Sequence, residues 1–325
     1  MEVRAITMIP VPIQDFINGT MSPVNLYVKL SEEKYVLVSK AGQKTNSEQL
    51  KTYEDKTVEY LWISRTDFSK FTVNNITVAG LIITQDKIEA KQKTQVLAKA
   101  AASVFLEFEY VGLGYDAYSH SRQVVEATVA MASAHKDIND LLLSLHDCSD
   151  GILRHSMAVS YISVLIAQAM NWQNRQTIEK LALGALLHDI GLKALPPELV
   201  AKPKIKMSYE ELQLYEQHPY KGMQLLISLG IVPDDVIAVV YEHHENAIGQ
   251  GYPRKLRSLK MHPLARIVAL ANDFCDLTIE NPDCSKPRTP REAIMTLEYT
   301  MGQPHNKEAF RALQMVVNKE FAKAG

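Results

Sequence analysis

Five of the ten histidines in this chain fall at spacings that look arranged: His155, His188 beside Asp189, His218, and the adjacent His243 and His244. His155 stands near the start of one apolar helical run, and His188-Asp189 ends another (LALGALLHD) before Gly191. Each element alone is weak, because a His-Asp pair arises often by chance and His243-His244 suits a solvated surface. Together they constrain the fold. Partly buried histidines and a buried aspartate need partners, and a shared metal ion supplies them. Imidazoles grouped with one carboxylate suit a transition-metal site, especially one holding two ions. The other histidines (His120, His135, His146, His262 and His305) show no such grouping and read as ordinary.

Composition bounds what can surround such a site. A length of 325 residues favours two domains, and 46% hydrophobic residues suffice for buried cores. A net charge of −2 gives no footing for DNA or an anionic membrane. Cys148, Cys275 and Cys284 are too few and too scattered for a disulfide framework or a thiolate zinc site. Pro10 and Pro12 interrupt an N-terminus that lacks the apolar core of a signal peptide. The most apolar later stretch, 157–170, carries serines and a glutamine and falls short of a bilayer span. A cytoplasmic protein without a membrane span is expected.

The hydrophobic period divides the chain. Residues 1–85 read as a small α/β regulatory or sensory domain. Leu26, Val28 and Leu30 alternate with polar neighbours, a turn follows at 31–34, and 35–38 returns as the second strand of a hairpin. A short helix near 49–53 and a strand at 58–63 come next. From Asp86, a predicted N-cap, Ile88, Val96, Leu97, Ala100, Val104, Phe105 and Phe108 mark one face of a long helix, which Gly112-Leu113-Gly114 breaks. Helices at 119–134 and 137–145 complete a helical connector over 86–150, which suits a dimer interface equally well. Residues 151–325 read as almost all helix, with segments near 152–170, 174–189, 209–228, 233–246, 262–279, 290–301 and 306–322. Ser208 with Glu211, and Thr289-Pro290 with Glu292, are helix-start signals.

The order of LLHDIGLKALPPEL (186–199), EQHPYKGMQLL (216–226), YEHHENAIGQGYP (241–253) and ARIVALANDF (265–274) resembles the HD-GYP family. That family is a bacterial branch of the HD-domain metal-dependent phosphohydrolases, and the resemblance covers roughly the second half of the chain. It implies an all-α HD-type helical bundle around a dinuclear, sometimes trinuclear, centre of iron or manganese. The implied activity is hydrolysis of cyclic-di-GMP through a metal-bridging hydroxide, in which two ions about 3.5–4 Å apart clamp the phosphate oxygens. Carried over by position, His155, His188 and Asp189 belong to a first metal. His218, His243 and His244 belong to a second, with Asp189 bridging. Tyr252 of the Gly-Tyr-Pro loop would offer an aromatic face and a hydroxyl to substrate, its plainer reading being a tyrosine packed on the bundle. Gly249 and Gly251 would permit unusual backbone angles there. A signalling protein at this loop and a homodimer are further partners to expect.

Several positions depart from the family pattern. Gly151 stands where a glutamate associated with a third metal is common, so two ions are expected, iron before manganese. Leu192 replaces a phosphate-touching lysine; the adjacent Lys193 would point about 100° away on a helix, but would serve as a substrate-binding residue beside Tyr252 if the segment is a loop. Ile248 replaces an acidic residue before the loop, and Asn281 an arginine. Asn272 falls where the last metal aspartate is expected, beside Asp273, and Cys275 takes the place of a second aspartate, beside Asp276. A neutral amide oxygen ligates iron less strongly than a carboxylate. Three readings follow: a phosphodiesterase of weakened activity; a degenerate module that binds a cyclic dinucleotide or a partner protein without turnover; and a phosphohydrolase for another nucleotide, which the intact Gly-Tyr-Pro disfavours.

Overall fold

The computed structural model describes residues 8–17, 19–31, 34–44, 58–146, 148, 150–299 and 305–319. The short helix expected near 49–53 lies outside them. Two compact units emerge: Met1–Ile88 with Gln95–Val124, and Glu89–Thr94 with Val125–Gly325. The helical stretch read as a connector is therefore shared between the units.

The first unit is built on an antiparallel sheet of β1 (Met8–Pro12), β2 (Leu26–Ser31), β3 (Lys34–Ser39) and β4 (Tyr60–Ser64), ordered β1-β4-β2-β3. Alternation sends Ile9, Val11, Leu61 and Ile63 to one face, where they pack with Phe16, Val24, Leu26, Phe68 and Phe71. The hairpin pairs Val28 with Val36, as the sequence pattern anticipates. A 16-residue helix, α1 (Phe68–Ile83), occupies a stretch in which the sequence pattern gave no helix. The helix expected to follow an Asp86 cap starts later, as α2 (Ala90–Leu106), because residues 84–88 turn first. A short π-helical segment at Glu107–Val111 ends at Gly112, whose φ of 108° only glycine adopts easily. Helix α3 (Tyr115–Ala134) follows. Buried His120 is paired with buried Glu107 at 2.7 Å, a satisfied core histidine.

The second unit is helical: α4 (Ile138–Leu145), α5 (Gly151–Ala169), α6 (Arg175–Leu187), α7 (Pro197–Val200), α8 (Tyr209–Tyr215), α9 (His218–Ser228), α10 (Asp234–Glu242), α11 (Pro263–Thr278), α12 (Pro290–Tyr299) and α13 (Lys307–Val317). Helix α5 is apolar on nearly every side and forms the axis, with α6, α11 and α13 packed round it. It is long and apolar enough to cross a membrane, yet 78% of its apolar window is buried inside the fold, as befits a core helix.

The expected helix over 209–228 is two helices, parted at Glu216-Gln217 just before His218-Pro219. Pro219 lacks an N–H, so it is tolerated in the first turn of a new helix and not in the interior of an old one. Ser208 and Glu211 form the reciprocal capping box, and Thr289 with Glu292 makes the same exchange. The turn Ile190–Ala194 presses its backbone onto α9: a Cβ on Gly191 would collide with the carbonyl oxygen of His218 and lie 2.7 Å from the Gly222 nitrogen. Only glycine allows that approach, which sets Asp189 beside His218.

Candidate metal centre

The site is made of helix ends. Asp150 caps α5 by accepting the Ile152 and Leu153 N–H groups, which starts the helix that carries His155 one turn in. His188 follows the last residue of α6, His218 opens α9, and His243 follows the last residue of α10. These three rings are anchored by one device. Each donates Nδ1–H to the carbonyl three residues earlier: His188 to Ala185 at 2.7 Å, His218 to Tyr215 at 2.9 Å, His243 to Val240 at 2.8 Å. Such a bond fixes the tautomer, leaving Nε2 with its lone pair.

The three Nε2 atoms converge on Asp189. His188 Nε2 is 3.2 Å from Oδ2, while His218 and His243 Nε2 are 3.2 and 3.5 Å from Oδ1. The His218 and His243 Nε2 atoms are 3.2 Å from each other. Lone pairs that face one another and a carboxylate need a positive charge among them, as a proton or a metal ion. The Nε2 of His188 is fully buried and makes no well-aligned hydrogen bond, so its short approach to Asp189 does not satisfy it. Asp189, His218, His243 and His244 each offer a donor atom within 4.8 Å of the others, and His155, His188 and Asp189 do likewise. These donors fit divalent transition metals, which accept imidazole and carboxylate together.

Charge is arranged accordingly. Burial would raise the Asp189 pKa, yet the charge of His188 and the close approach of the His188, His218 and His243 rings hold it well below the ordinary carboxylate value. Burial lowers His243 to about 4 against the pull of Asp189. His244 is also driven well down, by burial and then by His243, His218 and Lys204. Burial opposes charge on His188, but the adjacent Asp189 more than offsets it and the pKa rises. The rings of His243 and His244 are thus neutral near pH 7, the form that ligates metal.

On α11, Asn272 faces the site. Its Oδ1 accepts Nε2–H of His155 at 2.9 Å, whereas Asp273 turns to His305, 3.2 Å away. Asp276, one turn beyond Asn272, lies 3.7 Å from His155 Nδ1, and burial raises its pKa. The sequence pattern set Asp276 aside as a neighbour of Cys275; its i+4 relation to Asn272 was the available signal. His305, read as ordinary, is buried against Asp273. His262 caps α11 through Nδ1 and pairs with Asp235 through Nε2, a structural role.

The Gly-Tyr-Pro loop closes over the paired histidines. Tyr252 stacks its ring on His244, centroids 4.6 Å apart at 28°, and its N–H donates to the His244 carbonyl. Of the two loop glycines, Gly249 takes a positive φ of 76°, while Gly251 is needed for space: a Cβ there would strike the His244 carbonyl and come within 2.8 Å of the Asn246 nitrogen. Two carboxylates missed in the sequence clasp this loop. Glu245 accepts from the Arg254 and Leu256 N–H groups at 2.5 and 2.7 Å, and Glu242 accepts from the His262 N–H at 2.6 Å. Both are buried, a rare placement for glutamate unless paired, and they flank His243-His244 in sequence. Leu192 is buried, Ile248 is exposed, and the Lys193 ammonium lies 3.6 Å from Asp150.

Comparison with known proteins accords with this geometry. A model of the HD domain family matches residues 140–306. A cyclic di-GMP phosphodiesterase of Pseudomonas aeruginosa, PA4108, is 28% identical over 220 residues, covering 68% of this chain and 52% of that protein. A cyclic di-GMP phosphodiesterase of Thermotoga maritima is 28% identical over 166 residues, covering 49% of this chain and 43% of that protein. The chain spans about half the length of these relatives. Among solved structures, Bd1817, a HDG"Y"P protein from Bdellovibrio bacteriovorus, has a similar fold, with a TM-score of 0.74 at 22% identity over 96% of this chain and 100% of that one. With its family match, its cyclic-dinucleotide relatives and its loop seated on paired histidines, the chain belongs to the HD domain family, in the HD-GYP branch.

Proposed function

We propose that the chain is a metal-dependent phosphodiesterase that hydrolyses cyclic-di-GMP. The observation that carries this reading is the convergence of three carbonyl-anchored imidazoles on Asp189, with the lone pairs left facing inward. His155, His188, Asp189 and Asn272 would hold one ion; His218, His243 and His244 would hold the other and share Asp189. Iron is the first candidate and manganese the second. When bound, such a pair supplies water activation and neutralises phosphate charge.

The chain's own residues do the rest. Asp189, kept ionised by its three imidazoles, presents one oxygen toward His188 and the other toward His218 and His243. The Nδ1–H anchors keep those rings from rotating, so the donor set is preorganised. Tyr252, stacked on His244, walls the site from the loop side and offers its ring to a base, and Lys193 supplies a cation if it exchanges Asp150 for substrate.

Two features favour a second reading, binding without turnover: a neutral amide at Asn272 already bonded to His155, and a buried leucine at Leu192. One experiment separates the two. Protein loaded anaerobically with iron or manganese is incubated with cyclic-di-GMP and the products are resolved by chromatography. Release of the linear dinucleotide or GMP, together with loss of metal and product in Asp189→Ala, is the expected result. Binding by calorimetry with no product over long incubation leaves the second reading in its place.

A further inference from the structure

The Pro203-capped turn Lys204–Lys206 lies between α7 and α8, outside the four stretches that carry the resemblance. Its first residue is tied to the metal cluster through one ring. The Lys204 ammonium sits over the Tyr215 ring, 5.2 Å from the centroid. The Tyr215 ring stands edge-on to His218, centroids 5.2 Å apart, and the Tyr215 carbonyl takes the His218 Nδ1–H. Lys204 is therefore stationed at the cluster by the same residue that orients one of its imidazoles.

The present partner of Lys204 is weak. Its Nζ lies 3.7 Å from Asp283 Oδ2, beyond hydrogen-bond distance, in a pair whose side chains are each 38% exposed. An ion pair of that exposure contributes little to holding the side chain in place. Asp283 holds the turn itself more firmly, since its Oδ1 accepts the Lys204 N–H at 2.6 Å. The backbone is thus pinned while the ammonium, on a flexible four-carbon stem, is free to change partners. The 190–194 turn offers the apolar, buried Leu192 and one further cation, Lys193, whose ammonium lies 3.6 Å from Asp150. A phosphodiester brings negative charge to this site that has to be met by donors, and a lysine acts on phosphate as a mobile point charge.

We propose that Lys204 is a phosphate-gripping cation of this site, parked on Asp283 until a phosphate group displaces it. As applied to cyclic-di-GMP this rests on the function proposed above, and the test is arranged so that the two can fail separately. Manganese-loaded wild type, Lys204→Met, Lys204→Arg and Lys206→Met are titrated by calorimetry with orthophosphate and, in parallel, with cyclic-di-GMP. Metal content and thermal melting are recorded for each. Lys204→Met keeps an apolar side chain of similar length and removes the charge that sits over Tyr215. It is expected to weaken phosphate and dinucleotide binding about tenfold, the equivalent of one charged hydrogen bond, with metal content unchanged. Lys204→Arg is expected to retain binding within about threefold, because the charge survives. Lys206→Met, on the exposed side of the same turn, is expected to bind as wild type, and added salt should shrink the difference between Lys204→Met and wild type.

Equal binding by Lys204→Met and wild type overturns the proposal. So does a wild type that binds neither anion, and so does metal loss in Lys204→Met, which would mean that Lys204 serves the ligands. If wild type binds orthophosphate through Lys204 but ignores cyclic-di-GMP, the phosphate grip stands and the proposed substrate falls.

Discussion

At Asn272 an amide stands where Asp189-like chemistry would call for a carboxylate, and the structure shows the consequence. The side chain is buried and aimed into the site, and its oxygen is spent on a hydrogen bond with His155 Nε2, one of the atoms a metal would claim. An ion entering that half must break this bond and gains only a neutral donor in return. Asn272→Asp is isosteric and adds the missing charge. It is expected to raise metal retention in the His155 half about tenfold, read as metal-to-protein ratio after dialysis against a weak chelator. Unchanged stoichiometry would show that Asp276, beside His155 Nδ1, already supplies the carboxylate. The residues that meet here were largely legible in the sequence because histidines beside apolar helical runs need partners and the order of the four stretches matches a family pattern. Asp276 was passed over although its i+4 relation to Asn272 places it on the same helix face, and the place of Lys204 over Tyr215 depends on how the 204–206 turn packs, which no linear spacing records.

The elements work through their ends. A histidine just past the last turn of a helix finds an unpaired carbonyl three residues back, and α6 and α10 use this to set His188 and His243. Glu242 and Glu245 perform the complementary task, accepting the N–H groups of an irregular loop that has no strand or helix to satisfy them. Glu245→Ala strands the Arg254 and Leu256 N–H groups, at about 1–3 kcal/mol for each that stays buried. The expected outcome is a lower melting temperature and new protease cleavage within 246–257. An unchanged digestion pattern would mean that the Gly251 contact alone holds the loop.

Element boundaries were less legible than ligands, and α1 shows why. Its buried positions, Phe68, Phe71, Thr72, Asn75, Ile76 and Ala79, follow helical spacing, but Thr72 and Asn75 interrupt the apolar stripe. Thr72 reaches the Phe68 carbonyl within its own helix and the Ser103 carbonyl on α2, so a polar residue behaves as a core one. At 209–228 the reverse holds: the stripe continues while the helix does not, because Pro219 forces a restart. Periodicity reports which faces are wet, and breaks made by backbone chemistry need to be read separately.

On the scale of the whole molecule, a two-domain chain with an all-α second half was evident from the change of hydrophobic period. The allocation of the middle helices was not, because Leu97, Ala101, Val104 and Phe105 are buried and the sequence does not say against what. The structure gives Gln95–Val124 to the unit that contains the sheet, where Lys99 donates to the Phe16 carbonyl at 2.8 Å and Leu106 packs on the sheet's core. Deletion of residues 1–88 therefore strips a half-built unit of its partner surface. The expected outcome is aggregation in size-exclusion chromatography, and a monodisperse product would show that these helices are satisfied without the sheet.

Five consecutive residues, Glu242 to Asn246, hold two imidazoles of the cluster, both clasps of the loop and the nitrogen that Gly251 approaches most nearly. Loop docking and ion capture are thus two equilibria written on one short piece of backbone. Thermodynamic reciprocity then applies: whatever factor an ion adds to loop docking, docking adds to ion affinity. A molecule that engages the loop from outside acts as a regulator of occupancy without touching a ligand, and the ion in turn acts as a regulator of what the loop can recognise.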